Sequence, residues 1–298
     1  MVFWYDNEPM NWDDYRLILA LIRQKTVRGA AKSLGVSHAT VSRRLAHLNG
    51  RPGGPFIQKS PSGLWPTKSG EVVLEAAEQM ERLVDQAARK HRASRTSLAG
   101  PLCISIPNLV LEYVLFDAVT EFAEAYPDIE LTVDASDNLV DLDRAEADIV
   151  VRTSEHPPEQ WVGRRLLPYT LSIYAHRQYL ATTSPDAYRW IAPDQDSSRW
   201  PGWLDESPYP SAPIALRITS IPGRFHALRQ GAGIGRAACF MADQIPELVR
   251  LPNAPVIAAE TFWVLSHPDF AKTDRARVAI RFFSERLKQR QGLIQGSG

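Results

Sequence analysis

The stretch AAKSLGVSHATVSRRLAHL, Ala30 to Leu48, constrains this 298-residue chain more than any other. Gly35 separates two short helical patterns, and glycine accepts the left-handed backbone that a sharp turn between helices requires. Ser37 follows as a candidate N-cap, its hydroxyl placed to accept from an orphan amide of the next helix. In that helix Val41, Leu45 and Leu48 recur at i, i+4 and i+7 and define the inward face. Ala39, Arg43 and Ala46 then point the opposite way, with Thr40, Ser42 and His47 on the flanks. Small residues around one long cation fit a surface that comes close to a groove of duplex DNA and reaches its base edges or phosphates. The competing reading is a helical pair that is basic by accident.

The flanking sequence favours the first reading. Residues 12–25 place Tyr15, Ile18, Leu19 and Ile22 at helical spacing, and a second helix is predicted over Val27–Leu34. Ala31, Gly35 and Val41 occupy the helix-contact, turn and core positions of a helix-turn-helix. After RPGGP, two short strands, Phe56–Lys59 and Leu64–Thr67, join through Ser60-Pro61-Ser62-Gly63, which completes a winged helix-turn-helix over residues 10–67. Charge agrees. Between Met10 and Gly70 ten basic side chains face two acidic ones, a local +8 in a chain of zero formal net charge, so about −8 falls on the remainder.

Residues 68–100 read as a linker. Val73, Ala76, Met80, Leu83 and Ala87 mark one long helix with an apolar stripe, to be covered by a second copy of the chain or by its own domain. Glu71 near its start and Arg89 to Arg92 near its end suit the helix dipole, and SRTSLAGP, Ser94–Pro101, breaks it. Beyond, strands (LCISI, IELTVDA, ADIVVR, LSIYA, IALRITS, TFWVLSH) alternate with helices expected at Leu109–Tyr126, Leu139–Ala145, from Pro222 and at Ala276–Arg290. That alternation implies a parallel α/β sheet over 101–292. Trp190, Trp200 and Trp203 lie in an irregular stretch, as core filling or as the wall of an aromatic pocket.

In open α/β sheets ligands bind where strands end and helices begin. The candidate loops are Ile106–Asn108, Ser136–Asn138, Arg152–Ser154 and Thr219–Ile221, with Asn108, Ser136, Asn138, Arg152, Thr153, Thr219 and Ser220 as candidate effector contacts. Arg152 fits either an acidic ligand or a structural role on nearby carbonyls, and Thr219 and Ser220 either a ligand or a helix cap. No catalytic residue, metal cluster or cofactor motif emerges: GAGIG lacks the dinucleotide fingerprint and reads as tight packing, and the histidines lack ligand spacing. Cys103 and Cys239 read as buried reduced thiols with a structural or incidental role, the alternative being catalysis or sensing. No apolar run nears the roughly 18 residues of a membrane span. The first residues carry no secretory pattern, so a cytoplasmic, membrane-free protein is expected.

The segment AAKSLGVSHATVSRRLAHL, with LILALIRQKTVRGAA, PTKSG, EFAEAYPDIELTV, EADIVVR, GAGIGRAACF and FWVLSHPDFAKTDRARVAIRFF, resembles the LysR-type transcriptional regulators over residues 10 to 290. Departures from the usual family residues are His38, Asn49, Pro52-Gly53, Phe56-Ile57 and Lys59. The resemblance implies an α+β multi-domain chain: the winged domain, the linker helix, and a two-lobed α/β regulatory domain like a periplasmic binding protein. Lobe I would hold about 101–165 and 267–292 and lobe II about 166–266, with crossings near Arg164–Tyr169 and Trp263–His267 and an effector cleft between the lobes. The function implied is transcriptional regulation on double-stranded operator DNA by a homodimer or homotetramer, answering to a small organic acid or aromatic effector and meeting RNA polymerase. His38, Ala39, Thr40 and Arg43 would lie near base edges, and Ser33, Ser37, Ser42, Arg44 and Lys59 toward the backbone. The alternatives are an α/β enzyme or solute-binding protein with an accessory helical domain, and a regulator whose second domain serves assembly alone.

Overall fold

The computed structural model describes residues 10–93, 98–136, 140–193, 204 and 207–297. It divides at Ala88/Arg89 into two compact units. The first holds α1 (Trp12–Gln24), α2 (Val27–Leu34), α3 (His38–Asn49), β1 (Ile57–Ser60), β2 (Gly63–Pro66) and α4 (Lys68–Ala93), which runs past the division.

The boundaries follow from caps. Asn11 and Asp14 form a reciprocal capping box on α1, each side chain accepting the other's backbone N–H at 3.1 Å. Thr26 caps α2, which closes on Gly35 at φ 66°. The Ser37 hydroxyl accepts from the Thr40 amide at 3.1 Å and starts α3. Leu17, Ile18 and Leu21 of α1 pack on Ala30 and Ala31 of α2 and on Val41 and Leu48 of α3, all buried. β1 and β2 pair antiparallel from Ile57 opposite Pro66 to Ser60 opposite Gly63.

On α4 the apolar stripe divides. Val73 and Leu74 join the core of the winged domain and Ala77 is fully buried. Val72, Leu83 and Val84 are 70, 64 and 51% exposed. Both expected coverings of this helix therefore have a face of their own.

The second unit comprises β3 (Gly100–Ile106), α5 (Asn108–Val110), a π-helical turn (Leu111–Leu115), α6 (Phe116–Ala125), β4 (Ile129–Ala135), β5 (Ile149–Ser154), β6 (Val162–His176), α7 (Arg177–Thr182), β7 (Trp190–Ala192), β8 (Ile214–Arg217), α8 (Ile221–Arg229), β9 (Ile234–Ala238), α9 (Cys239–Ala242), β10 (Leu248–Arg250), β11 (Ile257–Ser266), α10 (Pro268–Ala271), α11 (Asp274–Gln289) and α12 (Gln291–Ile294). Its sheet runs β4-β3-β5-β11-β6-β9-β7-β8, with β10 on β6. The sheet is mixed rather than wholly parallel. β4/β3/β5 and β9/β7/β8 are parallel sets, while β11 and β6 lie antiparallel to each other and to the set each one borders. These two long strands join the lobes.

Two expectations change, and for Trp190 the core reading of the two weighed holds. Residues 140–145 form turns instead of a helix, because the carboxylates of Asp141 and Glu146 take the amides of Asp143 and Asp141 at 2.8 and 2.9 Å; Leu139 lies outside the described residues. β11 already pairs with β5 from Thr261, so the chain re-enters lobe I before Trp263–His267. Its crossing is the irregular stretch Ala258–Thr261. Trp190 is fully buried, and its indole donates to the Tyr209 carbonyl at 3.0 Å, which makes it core; Trp200 and Trp203 lie outside the described residues.

Gly163 of β6 faces Leu265 of β11, and a Cβ there would collide with the Val264 carbonyl. Gly163→Ala is expected to cost about 1–3 kcal/mol by forcing the strands apart, read by chemical denaturation of the full chain. Gly292→Ala, where a Cβ meets nothing within 4 Å, is the control. Equal stability of the two variants would contradict the pairing.

Candidate functional site

In the first unit the outer face of α3 is built as its periodicity requires. His38, Ala39, Arg43, Arg44, Ala46 and His47 are exposed, Thr40 and Ser42 half-buried. Arg43 makes no ion pair among the described residues. Arg44 leans back to Asp13 at 3.9 Å, a contact open to solvent. The two tandem arginines thus differ before any ligand arrives.

The hydroxyls of Ser37 and Thr40 bond each other at 2.8 Å, and the Ser42 hydroxyl lies 3.5 Å from His38 Nδ1. Ser33 donates to Ala30 O at 3.0 Å on the exposed side of α2. Lys59 is exposed on β1. The two acidic residues of the winged domain are engaged with cations: Asp13 with Arg16 at 3.6 Å and Arg44, and Asp14 with Arg51 at 3.2 Å. Two contacts were not foreseen. The Asn49 amide bonds the backbone entering β1, and Lys25 Nζ lies 3.3 Å over the Trp65 ring.

In the second unit a cleft of about 590 Å³ opens between the ends of β3 and β5 on one side and α8, β9 and α9 on the other. Of the expected contacts, Arg152, Thr153 and Ser220 line it. Asn108, Ser136 and Thr219 are not among its lining; Pro107 and Leu109 occupy the end of β3 instead. Asn108 starts α5 with its side chain at the exposed surface. Asn138 lies outside the described residues.

The side chains in the cleft are held from behind. Arg152 donates to Val151 O at 2.9 Å and to the Ser105 hydroxyl at 2.8 Å, and Ser105 in turn donates to Asp134 Oδ2 at 2.8 Å. Thr153 donates to Glu260 at 2.8 Å. Ser220 caps α8, accepting from the Gly223 amide at 3.0 Å. So the structural roles weighed for Arg152 and Ser220 are both realised, at residues that also face the cleft.

Two further arginines line the cleft, Arg224 and Arg236. Arg224 donates to Ile218 O and Thr219 O at 2.7 and 2.8 Å, and burial pushes its guanidinium below the ordinary arginine value. Tyr169, Ile191, Phe225 and Phe240 supply apolar wall. Arg236 stands inside the GAGIGRAACF stretch. The glycines before it pack tightly, Gly233 against the Arg189 carbonyl, and nothing in their spacing marks the arginine. An arginine on a short strand next to a Gly-rich turn was the available signal.

Two family models match the chain. "Bacterial regulatory helix-turn-helix protein, lysR family" covers residues 12–71, and "LysR substrate binding domain" covers 95–288. The chain belongs to the LysR family. It is a DNA-binding transcriptional regulator with an effector-binding domain, not an enzyme. Similar curated proteins include the Mau operon transcriptional activator of Paracoccus denitrificans, 24% identical over 90% of this chain and 93% of that one. The probable HTH-type transcriptional regulator LtrA of Klebsiella pneumoniae is 24% identical over 91% and 93%. Among solved structures, the full-length Vibrio cholerae virulence activator AphB shares the fold at a TM-score of 0.59, with 17% identity over 92% of this chain and 98% of that one. Among the described residues no helix of the regulator is long and apolar enough to cross a membrane.

Behind the cleft α9, which contributes Phe240 and Met241 to its lining, is braced by Tyr174. The phenol donates to Asp243 at 2.7 Å, and Arg250 holds the other oxygen of that carboxylate at 2.8 Å. Burial, with Cys239 and Asp243 beside it, pushes the Tyr174 phenol well above the usual tyrosine range. A raised pKa in the folded state gives stability that is full below the unfolded value, about 10, and falls as pH rises beyond it. Unfolding free energy is therefore expected to decline above pH about 10, and less steeply in Tyr174→Phe; parallel pH profiles would contradict it.

Proposed function

We propose that the regulator, working in the cytoplasm, reads double-stranded operator DNA with α3. His38, Ala39, Thr40 and Arg43 face base edges, while Ser33, Ser37, Ser42, Arg44 and Lys59 face the backbone. The observation that carries this reading is Arg43: an exposed guanidinium without an ion pair among the described residues, on a helix whose opposite face is locked by buried Val41 and Leu48. Phosphate contacts position such a domain and base contacts give it specificity. The exposed edge of α4, Val72, Leu83 and Val84, supports a homodimer in which two such helices cover each other and set two half-sites. RNA polymerase is the protein partner that regulation of transcription entails.

The cleft takes a small effector with an anionic end and an apolar body, an organic acid or aromatic acid. Arg152, Arg224 and Arg236 line it together with the aromatic wall, and Thr153 and Ser220 add hydroxyls. Guanidinium groups suit carboxylates because their paired N–H donors match the two oxygens.

Arg43→Ala is expected to weaken binding to a duplex selected from a random library by roughly 10- to 100-fold, with little change on random DNA. Arg44→Ala is expected to lower both and to flatten the slope of log affinity against log salt by about 1. Equal losses in both variants on both duplexes would refute the division. For the cleft, aliphatic and aromatic carboxylates are expected to raise the melting temperature of the full chain, and Arg236→Ala to abolish the shift. A flat response across the panel would favour a domain that serves assembly alone.

A further inference from the structure

If α3 and the wing contact the same duplex, something must set the distance between them. The loop that joins them, Gly50 to Pro55, mixes three permissive glycines with Pro52 and Pro55, and its Arg51 is tied to Asp14 at 3.2 Å rather than to the wing. The Asn49 side chain spans the loop directly. Its Nδ2 donates to Ile57 O at 2.8 Å, and its Oδ1 accepts from the amides of Phe56 and Ile57 at 3.0 and 3.1 Å.

We propose that Asn49, the last residue of α3, is the positioning residue of the wing, holding β1 and with it Lys59 at a fixed offset from Arg43. This rests on the reading of α3 and β1 as the DNA-binding surface. A carboxamide suits the task because it presents a donor and an acceptor side by side, the complement of an extended backbone. Aspartate has the same shape, but it would set a second oxygen against the Ile57 carbonyl.

The other strand of the wing is held separately. The Leu64 amide donates to Lys25 O at 2.9 Å, Lys25 Nζ lies over Trp65, and Gly63 leaves no room for a Cβ against the Lys25 carbonyl. Both strands are thus tied to the helices, β1 to the end of α3 and β2 to the turn between α1 and α2. Lys59 sits two residues beyond Ile57 on a strand fixed before DNA arrives, so binding spends less freedom on ordering it.

The test is a coupling measurement on the full-length protein, with a duplex selected by the wild type from a random library. Asn49→Asp is expected to bind about tenfold more weakly with a salt slope shallower by about 1 per wing, at a melting temperature that shows the domain folded. The decisive readout is Lys59→Ala, expected to weaken the wild type and to have no further effect in the Asn49→Asp background. Lys25→Ala, which removes the cation over Trp65 and loosens β2 from the turn between α1 and α2, is expected to show the same silence and serves where Asn49→Asp does not fold.

Wild-type affinity and slope in Asn49→Asp, or the same cost of Lys59→Ala in both backgrounds, would overturn the proposal and leave Asn49 a purely structural bond. If Arg43→Ala and Lys59→Ala are each silent in the wild type, the DNA-binding surface itself is misplaced, and the positioning role falls with it.

Discussion

The antiparallel pairing of β6 with β11 is the interaction on which the regulatory domain depends. β5 is added to the outer edge of β11 and β9 to the outer edge of β6, so each parallel set grows from one member of the pair. The register carries this to individual side chains: Arg152 lies opposite Trp263 across β5/β11, and Arg236 opposite Ile173 across β9/β6. Two arginines from opposite sides of the cleft are thereby placed through one ladder. The ladder is interrupted between Ala258 and Thr261, where the register shifts. Such bulges bend a strand and increase its twist. Glu260 sits in that interruption and holds Thr153 at the cleft, so the bend between the lobes and the cleft wall share a hydrogen bond.

In the winged domain the governing constraint is charge. Nine cations on residues 10–67 repel one another, and ion pairs relieve this at both ends of α1, with Arg23 meeting Glu81 of α4 at 2.6 Å. Asp14 is spent on a half-buried bond to Arg51 that ties α1 to the loop after α3, and Asp13 on Arg16 and Arg44. The face that carries Arg43 keeps its charge. Like charges held together by a rigid core cost stability in the free protein, and a polyanion removes that cost when it binds.

What was legible in the sequence was local. α2 runs over the predicted Val27–Leu34, and Gly35 and Ser37 act as stop and cap, because caps, turns and helical periodicity are settled within a few residues. The inward and outward faces of α3 follow from the same locality. What was not legible was set by partners distant in sequence. LSIYA reads as a short strand, yet β6 is 15 residues long because β11, far away in sequence, pairs along its first half from Val162 to Pro168. Turns replace the helix after residue 139 because the Asp141 carboxylate takes the Asp143 amide and the Glu146 carboxylate takes the Asp141 amide. Arg224 carries no local mark of facing a cleft, and Arg236 only its place on a short strand beside a Gly-rich turn. Nothing in the sequence marks the π-helical turn at Leu111–Leu115.

That Asn108 is not among the residues lining the cleft carries a consequence for recognition. The general argument for ligands at strand ends relies on helix N-terminal amides, which favour anions. Here the helix following β3 has Pro107 as its N-cap and holds only three residues, Asn108–Val110, before the π-helical turn. The helix following β8 has Pro222 in its first turn, and its Gly223 amide is already taken by Ser220. A proline has no amide to offer, so both helix starts at the cleft are poor anion cradles. Attraction for a negative charge must then come from side chains, and the arginines lining the cleft are Arg152, Arg224 and Arg236. Arg152 and Arg224 donate to backbone carbonyls, which fixes their direction. A cleft built this way discriminates by the position of charge on a largely apolar molecule, because guanidinium groups held at fixed points reward one placement of the anion over another.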